Sequence, residues 1–510
     1  MRSKKALYNI STQLICDVVT IINTLIIPRL ILSTFGSEYN GIISSITHCL
    51  EDISLLTLGV SGSTRVAIYR AKGDIEKISR VLKATEKFMR RVAFVFVFYL
   101  LALAFIYPLV VHSEIANLEI SLLVLVIGLG VFFEYFFGVT YAAFISATQS
   151  KYINNIILIV LRIVSTIVLM LMINAGGNII FVKLVGAIFL ALGPIILNFV
   201  VNRKFKIIKK IEPDESALSQ RKDVMAHSIA NSVHQYTDVF LLSIFSTAKM
   251  VSVYSVYYLI LNAIKKIELL FTNGLEGAFG EIWAKGEKEK FQKNFNVFEY
   301  LIYSLVSVVF TCCYLLIIPF IKLYTVEVTD INYVIPVFAY LSVLAYAVYC
   351  LRTPYVVCVQ SAGKYKETKV GAFIEAGINL LVSLVLVFPL GITGVTIGTL
   401  VANIFRTIQY EIFASKNLLN RSNMIFVKRI AWLASCFIIT VATIKLLPGM
   451  EIGSWLQWLI TGACYFGISF IITMIMSYIF YRGELLESVN IVKRMFKKKE
   501  KVSNECNRVC

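Results

Sequence analysis

Ionisable residues inside long apolar stretches are the feature of this sequence with the clearest potential for chemistry. His48, Glu51 and Asp52 lie in the stretch IPRLILSTFGSEYNGIISSITHCLEDISLLTLGVSGSTR, which runs from Ile27 to Arg65. At spacings of three and four residues they share one face of a helix. Because an ionised side chain at the centre of a bilayer costs about 2.5 to 3.5 kcal/mol, the sequence predicts that this face lines a polar cavity.

Two further pairs of polar residues lie in apolar surroundings. Asp17 shares a predicted helix with Asn23, and His234 precedes Asp238 by one helical turn. A buried carboxyl group near a histidine is a reasonable site for a proton or a sodium ion that drives transport. Hydrogen bonding between helices would explain the same residues. Apart from such a coupling ion, the sequence predicts no cofactor and no metal site.

The composition is that of a membrane protein. The 510-residue chain is 58% hydrophobic and 16% charged, with a mean hydropathy of +0.77, whereas soluble domains are roughly 45–50% apolar. The net charge of +18 would suit nucleic acid. However, Lys and Arg occur in short segments between apolar runs, as in the cytoplasmic loops of membrane proteins, so nucleic acid is not an expected partner.

The polar residues described above lie in apolar runs of about twenty residues. This is the length that a helix needs to cross the hydrocarbon core. These runs predict an all-α integral membrane protein with about fourteen transmembrane helices. The predicted spans cover approximately 10–32, 38–62, 90–111, 119–145, 153–173, 179–201, 224–245, 250–273, 297–320, 332–358, 368–388, 392–413, 428–447 and 455–480. Within the first hairpin, a turn is predicted at 33–37.

The distribution of basic residues predicts the orientation. Alternate loops are all basic, whereas the opposite ones are short turns such as STFGS, NAGGN and PLGITG. By the positive-inside rule, both termini are cytoplasmic. The basic tail, residues 482–510, would lie against anionic lipid, where each basic residue contributes about 1 kcal/mol. A topology signal alone would explain the same tail.

An internal repeat predicts the domain organisation. AKGDIEK at 71–77 resembles AKGEKEK at 284–290, with an offset of 213 residues. SATQSKY resembles SAGKY, and their final Lys-Tyr pairs, at 151–152 and 364–365, are again 213 residues apart. The predicted domains are two six-helix repeats, 1–210 and 222–415, followed by two extra transmembrane helices within 428–480 and the tail. Because six is even, both repeats enter the membrane in the same direction, as in alternating-access transporters with a central cavity.

The offset also relates ionisable residues of opposite sign. It takes Asp52 to Lys265, and Arg162 to Glu375. In a two-fold arrangement these pairs would face each other across the cavity and act as gates. The alternative is that the partners are too far apart for an ion pair and face water.

Several motifs of enzymes are absent from the sequence. It contains no G-x-x-x-x-G-K-[ST] loop, no H-E-x-x-H and no G-x-S-x-G. The predicted outer loops are also too short for an extracytoplasmic catalytic segment. The sequence therefore predicts a protein that is not an enzyme.

The first hairpin carries a family resemblance. IIPRLILSTFGSEYNG and LLTLGVSGSTR resemble the first helical hairpin of bacterial polysaccharide flippases of the Wzx type, which belong to the same superfamily as drug extruders and the lipid II flippase. The matching residues are Pro28, Arg29, Gly36, Tyr39, Gly41, Leu58, Gly59 and Arg65. The span number and the repeat extend the resemblance over the full length.

The resemblance implies a function, a substrate and a location. It implies alternating-access transport of an undecaprenyl-pyrophosphate-linked oligosaccharide across the bacterial plasma membrane, for capsule, O-antigen or teichoic-type polymer, in company with polysaccharide assembly enzymes. Arg29 and Arg65 match motif positions and are candidates for substrate binding. Lys265, Lys266 and Arg352 are added from their depth and charge.

Two alternatives remain open. A cation-coupled drug extruder of the same superfamily would share the fold, but its cavity should be dominated by carboxylates. A membrane glycan polymerase or ligase would need an ordered outer loop of substantial length.

Overall fold

The computed structural model describes residues 2–51, 55–71, 73–218, 237–272, 275–447 and 452–490, and these are almost entirely helical, with no β-strand among them. The helices, in chain order, are α1 (Arg2–Glu51), α2 (Leu55–Arg70), α3 (Ile75–Val110), α4 (Asn117–Phe133), α5 (Val139–Ala147), α6 (Tyr152–Asn174), α7 (Ile179–Lys204), α8 (237–245), α9 (Ala248–Thr272), α10 (Leu275–Ala284), α11 (Lys288–Tyr324), α12 (Pro336–Leu351), α13 (Thr353–Ser361), α14 (Tyr365–Leu390), α15 (Ile392–Ala414), α16 (Met424–Leu446), α17 (Trp455–Phe480) and α18 (482–490). A π-helical turn, Glu134–Gly138, joins α4 to α5.

The helices have the length and composition of membrane spans. Within the described ranges, ten helical stretches are long and apolar enough to cross a bilayer. Predicted spans at 250–273 and 392–413 coincide with two further helices, α9 and α15. The prediction of an all-α, multi-pass membrane protein is therefore confirmed. The predicted span at 224–245 begins outside the described residues, which include only α8 from it.

The 213-residue repeat is visible in the positions at which helices begin. Helix α3 begins at Ile75 and α11 at Lys288, α6 at Tyr152 and α14 at Tyr365, and α7 at Ile179 and α15 at Ile392. Each of these three pairs is separated by 213 residues. The long helices α3 and α11 also have nearly equal lengths, 36 and 37 residues.

Local sequence explains why the long helix α3 begins where it does. The Asp74 carboxylate accepts hydrogen bonds from the amides of Glu76 (3.0 Å) and Lys77 (3.2 Å), which caps the first turn. Before this cap, Gly73 has a φ of 89°, and its repeat equivalent Gly286 has a φ of 73°. A positive φ suits glycine, so both repeats use the same backbone device to reverse the chain before their long helix.

The predicted turn at 33–37 is present as a break within α1. Gly36 has φ 87° and ψ 175°, which are not helical values, while the residues on either side are helical. The sequence therefore located the break correctly, although the two helical segments run on from one another.

The chain divides into two compact units. The N-terminal unit comprises the described residues of Met1–Ile260, Thr325–Tyr333 and Ala376–Gly398, and the C-terminal unit those of Leu261–Tyr324, Val334–Glu375 and Thr399–Cys510. Three contiguous parts thus build each unit. The core of the N-terminal unit includes Ile42, Met89, Phe96 and Leu123, all essentially inaccessible to solvent.

Candidate functional site

The break in α1, where the family-like motif lies, is held by a segment from far along the chain. The Asp330 carboxylate accepts hydrogen bonds from the Ser37 amide (2.9 Å) and the Ser37 hydroxyl (2.6 Å). The Tyr333 hydroxyl lies 2.7 Å from Oγ of Ser37 and 2.7 Å from Oγ of Ser252. These contacts fix where the second part of α1 begins.

Two other motif residues have packing roles in the same unit. A Cβ atom added at Gly41 would collide with the Ala248 carbonyl, so glycine permits the close approach of α1 to the start of α9. The Tyr39 hydroxyl donates a 2.9 Å hydrogen bond to Glu119. These contacts thus fix the path of α1 after the break.

The predicted substrate-binding residues of the first hairpin differ in exposure. Arg29 lies on α1 one residue after Pro28 and is half-buried, whereas Arg65 lies on α2 and is exposed. Asp17 is half-buried earlier on α1, where its carboxylate accepts a 2.9 Å hydrogen bond from Gln13.

A cationic cluster forms in the C-terminal unit around one tyrosine and one carboxylate. Lys265 Nζ lies 3.7 Å and Arg352 Cζ 4.0 Å from the centre of the Tyr349 ring. Arg352 also forms an ion pair with Glu375, and Arg406 Nε lies 3.3 Å from the other oxygen of that carboxylate. We call these five residues the cationic cluster. Two predicted substrate-binding residues, Lys265 and Arg352, are thereby brought together.

The charge balance of the cluster is positive. Glu268, 3% exposed, is the further acid that interacts electrostatically with Lys265 and Arg352. With both carboxylates ionised, three cations therefore face two anions. Such an arrangement attracts an anionic group, because cation–π contacts and shared carboxylates hold the cations in place while a net positive charge remains. Lys266, by contrast, is exposed.

The predicted gate between Arg162 and Glu375 stays a prediction. Glu375 contacts Arg352 and Arg406 within the C-terminal unit. Arg162 donates a hydrogen bond to Thr20 within the N-terminal unit. Glu375 and Arg162 thus each have polar partners inside their own unit.

The remaining candidates of the first hairpin and the seventh predicted span are only partly described. Asp52 and His234 lie outside the described residues, as does the side chain of Glu51, so the predicted pairing of Asp52 with Lys265 is not described either. His48 is buried and packs edge-on against Tyr258, with ring centres 5.2 Å apart. Its aromatic neighbour belongs to α9 of the same unit.

Asp238 is the most buried of the predicted ion-coupling acids that the structure describes. It is 3% exposed, and its carboxylate accepts a 2.9 Å hydrogen bond from the Tyr254 hydroxyl. The amide of Asn379 lies 3.4 Å from its other oxygen. The Tyr254 hydroxyl and the Asn379 Nδ2 both donate to this carboxylate, whose oxygens are ligands of the kind that hard cations prefer. None of the described residues forms a cluster of three or more His, Cys, Asp or Glu side chains for a metal ion.

A second buried ionic network was not predicted. Glu299, which is 0% exposed, receives a bidentate contact from Arg421, with both N–O distances 2.7 Å, and a 3.1 Å contact from Arg429. Tyr355 donates a further hydrogen bond to it. Burial lowers the pKa of Arg421, but the hydrogen bond and charge of Glu299 outweigh this effect, so the pKa is raised. The network links α11 and α13 to α16.

A signal for this network was present in the sequence. Glu299 is an acid inside a predicted span, by the same criterion that singled out Asp17. Its partners Arg421 and Arg429 were interpreted only as topology signals because they lie in a basic loop segment. Glu268, inside the predicted span 250–273, met the same criterion. Tyr349 had no signal of its own, since a tyrosine on a predicted helix has many possible environments.

The fold of this chain resembles the folds of solved membrane transporters over most of its length. A lipid II flippase MurJ in an inward closed conformation matches with a TM-score of 0.69 and 15% identity, covering 94% of this chain and 99% of that chain. An inward-facing multidrug resistance MATE family transporter of the MOP superfamily matches with a TM-score of 0.58 and 14% identity, covering 78% and 94%. A variant of the Vibrio cholerae MATE transporter VcmN matches with a TM-score of 0.56 and 16% identity, covering 82% and 97%.

These similarities are similarities of fold. No protein-family model matches the sequence, and no curated protein matches it. At 13–16% identity, the solved structures indicate how the chain is folded and not what it carries. The chain is therefore a multi-pass membrane protein with the fold of MOP superfamily transporters.

Proposed function

We propose that this protein is a flippase for lipid-linked oligosaccharides. Its substrate is an undecaprenyl-pyrophosphate-linked repeat unit, which it moves across the bacterial plasma membrane by alternating access for capsule, O-antigen or teichoic-type polymer synthesis. Both termini are cytoplasmic. Anionic lipid binds the basic tail, and polysaccharide assembly enzymes use the transported product.

The observation that carries this proposal is the cationic cluster. A pyrophosphate group bears about two negative charges and loses hydration when it leaves water, so it needs cations along its path. Arg352 offers a planar fork and Lys265 a point charge beside the same Tyr349 ring. Both side chains are positioned before a substrate arrives. A cavity designed for cationic drugs would instead present an excess of carboxylates.

The structural comparisons support the same class of substrate. The match to MurJ, a lipid II flippase by name, extends over 94% of this chain, whereas the MATE matches quoted above cover 78–82%. Lipid II is itself a lipid-linked saccharide. The MATE matches keep the drug extruder as the second candidate, because the same fold serves both functions.

The transport cycle requires a source of energy. No nucleotide-binding loop occurs in the sequence, so coupling to a proton or sodium ion is the simplest source. We assign this role to Asp238, because its carboxylate is buried beside the Tyr254 hydroxyl and the Asn379 amide. A cation bound there would be favoured by the carboxylate and excluded from lipid by burial.

A reconstitution experiment distinguishes the two candidates. The purified chain is placed in vesicles with a fluorescent undecaprenyl-pyrophosphate disaccharide, and dithionite is added outside. Bleaching of lipid from the inner leaflet reports flipping. We expect wild-type protein to flip this lipid and not to extrude ethidium from the same vesicles. Ethidium extrusion without lipid flipping would overturn the proposal in favour of the drug extruder.

Matched variants test the role of the cluster. Arg352→Gln removes a cation that contacts both Tyr349 and Glu375, so flipping should fall strongly. Arg482→Gln is the control, because Arg482 also stacks on a tyrosine, Tyr478, but at an exposed position. Equal flipping by both variants at equal abundance would show that the cluster does not recognise the substrate.

A further inference from the structure

The N-terminal unit contains a chamber, with charged residues in a largely apolar wall, that the proposed function does not use. This cavity has a volume of about 570 Å³ and lies between α1, the joined helices α4 and α5, α6 and α7. Its size is within the roughly 300–1,000 Å³ of small-molecule sites. Polar and charged side chains in its wall include Asn23, Thr47, Glu134, Arg162, Ser165 and Lys183.

The charged side chains in the wall of the chamber differ in the contacts that they make. Arg162 donates a hydrogen bond to Thr20 and lies 3.7 Å from the Cys16 sulfur. Glu134, on the π-helical turn, interacts electrostatically with Arg162. None of the salt bridges among the described residues involves Lys183. The chamber therefore carries an excess positive charge, and Lys183 is its source.

The two cations lie at different depths. Helices α6 and α7 form a hairpin, and Arg162 precedes the end of α6 at Asn174 by twelve residues, whereas Lys183 follows the start of α7 at Ile179 by four. At 1.5 Å per residue, the two Cα atoms are separated by about 12 Å along the helix axes. Among the described residues, the chamber thus has one part in which Arg162 interacts with Glu134 and another in which Lys183 forms no salt bridge.

Apolar residues complete the wall. Ile27, Val131, Leu169 and Leu190 line the same cavity. A ligand that satisfies both parts of this surface has an anionic group and a hydrocarbon body. A free inorganic anion would leave the apolar wall without a partner, and a neutral lipid would leave Lys183 without one. Charged residues inside spans are expensive and generally functional, which argues against a role in packing alone.

We propose that this chamber binds the phosphate group of an amphiphilic anion, with Lys183 as its principal contact and the apolar wall against its chain. The site is separate from the cationic cluster of the C-terminal unit and does not depend on the proposed flippase activity. The bound phosphate belongs either to a phospholipid of the bilayer or to a polyprenyl phosphate. Both share the chemistry that the chamber recognises.

Binding measurements on the full chain test this site. The purified protein in detergent is titrated with dioleoyl phosphatidylglycerol in one arm and farnesyl phosphate in the other, and native mass spectrometry counts the retained ligands. Dioleoylglycerol and farnesol are the neutral controls. We expect an anionic ligand to be retained at least tenfold more tightly than its neutral counterpart. The arm that shows this difference identifies the source of the phosphate.

Variants assign the difference to the chamber. Lys183→Met should weaken binding of the anionic ligand about tenfold or more, and Lys183→Arg should retain it. Arg203→Met is the control, because Arg203 lies on the same helix outside the cavity and stacks on Phe199. The proposal is overturned if anionic and neutral ligands bind alike in wild-type protein, or if Lys183→Met binds as wild type does. The dithionite assay of lipid flipping is independent, so failure here leaves the flippase proposal standing.

Discussion

Ser37 and Asp330 are 293 residues apart in the sequence, yet the carboxylate of Asp330 accepts hydrogen bonds from both the amide (2.9 Å) and the hydroxyl (2.6 Å) of Ser37. Ser37 directly follows Gly36, where α1 leaves helical geometry. Its amide is therefore one of those that a helix leaves unpaired at its start. Asp330 supplies from a distant loop the acceptor that an N-cap residue normally supplies from the adjacent position.

The first prediction concerns this long-range cap. Asp330→Ala should lower the free energy of unfolding by about 0.5 to 2 kcal/mol, the usual cost of losing an N-cap. Ser37→Ala should lower the free energy of unfolding by less, because the hydrogen bond from the backbone amide of residue 37 to Asp330 remains. Thermal unfolding in detergent measures both. Glu327→Ala is the control, since Glu327 is an exposed acid of the same segment. A loss from Glu327→Ala as large as that from Asp330→Ala would show that the cap contributes nothing specific.

The break in α1 shows how far sequence reasoning reaches. Gly36 and its flanking polar residues predicted the turn because a glycine in a polar segment between two apolar runs is a local signal. The 213-residue offset read from two short motifs also separates the starts of α3 and α11, of α6 and α14, and of α7 and α15. Asp330 was not predicted, because a capping partner in another part of the chain has no local signature. Tertiary pairing of polar groups is decided by packing, which periodicity does not describe.

The second prediction concerns the buried carboxylate of Glu299. Glu299→Gln should destabilise the protein by about 3 to 5 kcal/mol, because it removes the nearest counter-ion of the buried Arg421 and Arg429, while Glu484 lies farther from Arg429, at 3.7 Å. The expected result is a large fall in folded protein in the membrane and a lower unfolding temperature. Both are measurable by fluorescence-detected chromatography after heating.

A matched change at the surface separates this effect from a general loss of acid. Glu287→Gln removes a partly exposed carboxylate that pairs with Lys290, three residues further on, at 2.7 Å. Exposed pairs of this kind contribute about 0 to 1 kcal/mol. If Glu299→Gln is no more destabilising than Glu287→Gln, then the buried network is not a source of stability.

The third prediction concerns ion coupling at Asp238. Asp238→Asn keeps the shape of the side chain but removes the negative charge that would hold a proton or sodium ion. Flipping by wild-type protein in vesicles should accelerate under an imposed gradient of the coupling ion, and flipping by Asp238→Asn should not. Asp74→Asn is the control, because asparagine also caps a helix and Asp74 lies outside the predicted spans. If an imposed proton or sodium gradient accelerates flipping by Asp238→Asn as much as flipping by wild-type protein, Asp238 has no role in coupling.

The candidate substrate site was only partly predictable. Lys265, Arg352 and Glu375 were identified because charges inside apolar spans are costly and must face something polar. Their arrangement around Tyr349 was not, because an aromatic residue in a membrane helix most often contacts lipid or core. The repeat offset pairs Glu375 with Arg162 of the other repeat, and this pairing stays a prediction. The offset identifies equivalent positions but does not predict the contacts of Glu375 with Arg352 and Arg406 within its own unit.

The last prediction concerns Arg29, the half-buried cation that precedes the break in α1. Its planar guanidinium suits bidentate contact with a phosphate, which an ammonium cannot reproduce. Arg29→Ala should therefore abolish polymer export in a strain that lacks its own flippase, while the protein is inserted at normal abundance. Arg29→Lys should be partly active, because it keeps the charge and loses the fork. Lys265→Ala should also abolish export, since it removes the point charge from the cationic cluster. Lys322→Ala is the control, because Lys322 is an exposed cation at the end of α11. Export by the double variant of Arg29 and Lys265 at the level of this control would show that the pyrophosphate group is recognised by other residues, and that these two cations serve only the fold.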